Sequence, residues 1–186
     1  MSAKKFLILV IVLLLLLGGS GLAAYKYLDS DFTQIGRQIT TSNGNITVSV
    51  PLRWKKTDPS SERGLLAAQS SDKEMYMQIS LDSDSTEKGS IEEHVSEYIK
   101  SIAQKSDNSN ALAIVVSPKQ RKINGHKGYY FELESTSEDM EIHLWSFCYY
   151  TASGYVHIDV SAPRNETEND ADIAIGIIES IQQKSV

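Results

Sequence analysis

Four residues near the C-terminal half of the chain have types and spacing suited to chemistry. Two alternating segments, Ile142–Tyr150 and Tyr155–Ala162, are separated only by Thr151–Gly154. If that stretch closes a tight turn, Tyr150 faces Tyr155, Cys148 faces His157 and Ser146 faces Asp159. Period-two alternation then puts Ser146, Cys148, His157 and Asp159 on one sheet face. Nucleophile, base and acid are all present in that set. The competing reading is a polar sheet surface tied by cross-strand hydrogen bonds. A nucleophile in a flat strand also lacks the exposed turn and oxyanion donors that hydrolases use, so the sequence predicts no catalytic residue here. The opposite face carries Trp145, Phe147 and Tyr149 against Val156, Ile158 and Val160, which reads as core.

Other constellations are weaker. His94, His126, His143 and His157 lie on different elements, without HxxxH or CxxC spacing, so neither a metal nor a cofactor is expected. Parity turns His143 away from His157. Asp82, Asp84 and Glu87 are too few carboxylates for a calcium loop and lack its glycine. Arg121, Lys122, His126 and Lys127 gather at a hairpin tip. Charged tips aid solubility, but near a membrane such a spot can also meet anionic headgroups or an acidic partner. Beyond Asp31, 15 Lys and Arg stand against 22 Asp and Glu, a balance that repels nucleic acid. The single cysteine, Cys148, precludes an internal disulfide.

The elements that must position these residues can be read from periodicity. Ile46, Val48 and Val50 alternate with polar residues up to Pro51, with Trp54 just beyond. Leu65–Gln69 and Met75–Leu81 read as strands, and Ala113–Val116 as a short one. A helix opens at Ser90, where Ser90 and Glu93 form a capping box, and Ile91, Val95, Tyr98 and Ile102 make its apolar stripe. Asn124-Gly125 predicts a tight hairpin leading into Tyr129–Glu134. A closing helix is expected over Asn165–Gln183, with Ile173, Ile177 and Ile181 inward. The pattern is an α+β domain, a mostly antiparallel sheet of six or seven strands layered with two long helices.

Ahead of this domain, Lys4 and Lys5 precede an apolar stretch from Phe6 to Ala24, 19 residues long and enough to span a bilayer core. The flanking lysines before it and Asp29 and Asp31 after it predict one transmembrane helix, N-terminus cytoplasmic and domain extracytoplasmic. A cleaved signal peptide is the alternative, which would leave the domain secreted. The expected organisation is an anchor or uncleaved signal over 1–28, a tether over 29–43 and the folded domain over 44–186.

The order of elements resembles the PsbP-like superfamily, which includes photosystem II extrinsic subunits and DcrB-type bacterial envelope proteins. The resemblance is carried by Ile46–Trp54, by the capped helix, by Ile123-Asn124-Gly125-His126-Lys127-Gly128-Tyr129-Tyr130-Phe131, and by the last strand and helix ending Ile177-Ile178-Glu179-Ser180-Ile181. It implies an antiparallel sheet between helices, no shared catalytic residues, and a role in binding other proteins. The expected function is therefore a non-enzymatic, membrane-anchored extracytoplasmic module that engages a protein or a membrane surface. The alternative is a small-molecule-binding protein or hydrolase with a pocket around Cys148 and His157.

Overall fold

The long alternating runs of the C-terminal half pair into one large sheet. A computed structural model describes residues 35–71, 74–83, 90–105, 111–136, 141–164 and 168–184. Strands β1 (Ile35–Thr40), β2 (Ile46–Pro51), β3 (Lys55–Thr57), β4 (Gly64–Gln69) and β5 (Tyr76–Asp82) precede helix α1 (Ile91–Lys105). Strands β6 (Ala111–Ile123), β7 (His126–Thr136), β8 (Glu141–Thr151) and β9 (Gly154–Pro163) follow, then helix α2 (Glu168–Glu179) and the short β10 (Gln182–Gln183). The large sheet has seven strands in the order β3-β4-β5-β9-β8-β7-β6, every pairing antiparallel. The expected α+β architecture is present.

Two cores flank this sheet. On one face Trp145, Phe147, Tyr149, Val156, Ile158 and Val160 are buried together with Ile173, Ile177 and Ile178 of α2. On the other, Phe131, Leu133, Cys148 and Tyr155 enclose Val95 of α1. Alternation along β8 and β9 thus sends adjacent residues to different helices.

The sequence reading needs correction in four places. Residues 35–40 are not tether but a strand: β1 pairs with β2, and Ile39 is buried. Mostly polar Gly36, Arg37, Gln38 and Thr40 hide that strand from a search for alternating apolar residues. Next, β2 does not join the large sheet; it is central in a second sheet ordered β1-β2-β10. The closing helix stops at Glu179, and Gln182 and Gln183 pair with Thr47 and Ile46. Lastly, the short strand at Ala113–Val116 belongs to a 13-residue edge strand, β6. The transmembrane segment expected over 6–24 lies outside the described residues, among which no helix is long and apolar enough to cross a membrane.

Two turns fix registers that matter below. Asn124 and Gly125 have φ of 45° and 90°, as the Asn-Gly hairpin requires. The Asn124 side-chain amide also donates to the carbonyls of Glu179 and Ile181 at 2.7 and 2.9 Å, fastening the turn to the end of α2. Gly154 has φ of 128°, and a Cβ there would lie 2.2 Å from the Asp82 carbonyl oxygen. Only glycine fits that turn between β8 and β9.

Candidate functional site

The β8–β9 register sets Cys148 opposite His157 and Ser146 opposite Asp159. All four candidate residues share the face beneath α1, as their alternation predicts. They divide, however, into two separate pairs. The Ser146 hydroxyl donates to Asp159 Oδ1 at 2.6 Å, while Cys148 Sγ lies 3.6 Å from His157 Nε2.

Each pair is completed by a residue of α1. The helix begins where the sequence predicts: Glu93 N–H donates to Ser90 Oγ at 3.2 Å, and Ser90 N–H donates to Glu93 Oε2 at 3.1 Å. One turn apart, His94 and Tyr98 both point to the sheet. The Tyr98 hydroxyl donates to Asp159 Oδ2 at 2.9 Å. His94 Nε2 lies 2.8 Å from His157 Nε2, so one ring donates to the other. The His94 ring stacks on Tyr155 at 3.9 Å and 10°, and His157 sits 4.1 Å from the Tyr98 ring. His94 is the member that the sequence reading missed. Its spacing, four residues before Tyr98, places it beside the apolar stripe of α1 but does not report its partner on β9.

The electrostatics follow from burial. Ser146 and Cys148 are wholly buried and His157 nearly so. Burial pushes the Cys148 thiol well above its ordinary range, with the Asp159 and Asp82 charges adding to the shift. Burial lowers His157 to about 3, helped by His94, and it lowers His94 as well. Asp159 is raised to about 6, burial outweighing the hydrogen bonds from Ser146 and Tyr98 that pull the other way. A neutral thiol beside a neutral imidazole is the reverse of the ion pair that activates catalytic cysteines. Asp159 bonds Ser146 and Tyr98, and His157 bonds His94 and Cys148, so no charge-oriented triad is assembled.

Beside the site opens a cleft of about 410 Å³, lined among others by Arg63, Asp82, His94, Glu97, Tyr98 and Asp159. Asp82 is held by Arg63 at 3.0 Å. Ser146, Cys148 and His157 do not line the cleft. His143 lies on the opposite face, stacked on Trp145 at 4.3 Å and 3.0 Å from Glu132.

The basic cluster is also divided. Lys122 and Lys127 stand directly opposite each other on β6 and β7 and, with Arg121, line a second cleft of about 560 Å³. Arg121 lies 4.7 Å over the Tyr130 ring. His126 leaves the cluster, its ring 4.6 Å from Tyr149 on the face that α2 covers.

A solution structure of the cyanobacterial PsbP protein CyanoP, from Synechocystis sp. PCC 6803, superposes with a TM-score of 0.64. It covers 80% of this chain and 92% of its own at 12% identity. The chain has a PsbP-like fold. A crystal structure from Bacteroides thetaiotaomicron matches at TM-score 0.53 and 12% identity, over 82% of this chain and half of its own. A Pseudomonas aeruginosa protein of unknown function matches at 0.52 and 10%, over 81% of this chain and 98% of its own. No protein-family model and no curated protein sequence matches the chain. Identities this low speak to the PsbP-like fold alone. The site must be judged by its own residues.

Proposed function

We propose that this protein is a non-enzymatic, membrane-anchored extracytoplasmic module whose β6–β7 edge rests on an anionic membrane surface. One observation carries the reading. Lys119, Arg121, Lys122 and Lys127 are exposed along one sheet edge of a domain whose charge is otherwise acidic. Among the described residues Lys119, Lys122 and Lys127 make no ion pair. Like charges directly opposite on neighbouring strands cost stability, so the Lys122–Lys127 pair gains from an external anion. Each cation near an anionic leaflet contributes about 1 kcal/mol, too little for stable docking alone. The Phe6–Ala24 segment, read as an anchor, supplies the missing proximity. The closed state of Ser146, Cys148 and His157 supports a non-catalytic role.

Vesicle flotation of a fragment beginning at Asp29 tests the edge. Binding to phosphatidylglycerol vesicles is expected, absent from phosphatidylcholine, weakened by salt and lost in Lys122→Glu/Lys127→Glu. If the fragment ignores anionic vesicles while crosslinking in cells traps an acidic protein at Lys122, the partner is a protein instead. Topology has its own test. Ser42 is exposed, so Ser42→Cys in a Cys148→Ala background should react with an impermeant thiol reagent on intact cells. Reaction only after lysis would refute the extracytoplasmic placement.

A further inference from the structure

We propose that His94, Cys148 and His157 form a binding site for one soft, closed-shell metal ion, copper(I) or zinc(II). This reading is independent of the basic edge. Each residue can present one donor atom so that all three lie within 4.8 Å of one another. Two imidazoles and a sulfur are the donor set that soft and borderline d10 ions prefer over oxygen.

The spacing is close to what coordination needs. Bonds of about 2.0–2.1 Å to nitrogen and about 2.3 Å to sulfur put neighbouring donors about 3.3–3.7 Å apart. Cys148 Sγ and His157 Nε2, fixed as cross-strand partners, are already 3.6 Å apart. His94 Nε2 is too near His157, at 2.8 Å. His94, half-buried on α1 with its ring stacked on Tyr155 at 3.9 Å, is the member that has to shift for an ion to enter. Without metal, His157 Nε2 is approached by both the thiol and the second imidazole, and it has one lone pair with which to accept. An ion at the centre of the three replaces those competing contacts, and the thiol proton leaves to solvent as the metal–sulfur bond forms.

The surroundings fit a cation. Entry is from the cleft, where His94 is accessible and the Asp82, Glu97 and Asp159 carboxylates are among the lining groups. The inner wall is closed by Val95, Tyr98, Phe131 and Tyr155, which exclude water from the sulfur. Three donors complete a trigonal copper(I) site. Zinc(II) takes a fourth ligand, which a water in the cleft supplies.

The full-length protein in detergent, stripped with a chelator, is titrated separately with copper(I) held by a chromophoric chelator and with zinc(II) held by a fluorescent one. Withdrawal of one equivalent of either ion is expected, with protection of Cys148 from iodoacetamide. For copper(I), a thiolate charge-transfer band should appear in the ultraviolet; the two titrations decide which ion is held. Cys148→Ser should remove the band, and His94→Ala and His94→Gln should each weaken binding about tenfold or more, with melting curves showing the variants folded. Failure of both ions to leave their chelators, or binding unchanged in Cys148→Ser and His94→Ala, would overturn the site.

Discussion

Three titratable groups at the site, Asp159, His157 and His94, oppose one another. Asp159, ordinarily at 3.8, is raised to about 6, so the fold favours its protonated form. Its contribution to stability is whole below pH 3.8 and is lost as pH rises through about 6. His157 falls from 6.5 to about 3 and the fold favours its neutral form. That contribution is whole above pH 6.5 and lost as pH drops toward 3, and His94 acts in the same direction. Between the ordinary Asp value and 6 the slopes have opposite sign. Urea midpoints measured across that range should therefore change little in the parent protein. In Asp159→Asn they should climb with pH, and in His157→Gln they should decline. Parallel profiles in the two variants would contradict the assignment. Tyr98→Phe removes one donor from a partly buried carboxylate, and a loss of about 1 kcal/mol is expected in chemical denaturation.

Each strand, helix and turn was legible to the extent that its own residues carry the signal. Trp54, just past β2, is 4% exposed, and Arg37 donates to its backbone carbonyl at 3.0 Å. Trp54→Ala should cost about 3–5 kcal/mol, and a loss below about 1 kcal/mol would show that its surroundings collapse around the gap. The alternation of β8 and β9 and the short turn between them made the facing of Cys148 and His157 readable from the sequence. The Ser90–Glu93 cap and the Asn124-Gly125 hairpin were equally local. What periodicity does not encode is a partner. His94 meets His157 across 63 residues, through the docking of α1, and no spacing rule reports that contact. The same blindness hid β1, with few apolar residues, and β10, whose two residues are strand only because β2 is there to pair with them.

For the molecule as a whole, the second sheet joins the two ends of the described chain. Ser49 N–H donates to Ser180 Oγ at 2.8 Å across 131 residues, and the Lys184 N–H bonds the Asn45 carbonyl at 3.0 Å. Truncation after Glu179 removes β10 and buried Ile181, and with them the carbonyl at Ile181 that Asn124 caps. The truncated protein should unfold several degrees below the parent in a thermal scan, with a loss of about 2–5 kcal/mol from Ile181 alone. An unchanged melting temperature would mean that the small sheet is ornamental to stability. The same seam has a consequence in time. A ribosome delivers β2 before β10, with the whole large sheet encoded between them, so β2 waits with one hydrogen-bonding edge open until that sheet has been synthesised. Contacts of such long range form slowly, and an unpaired strand with buried-type residues Ile46, Val48 and Val50 is a template for association. Until β10 arrives, that open edge of β2 needs shielding in a nascent copy of this protein.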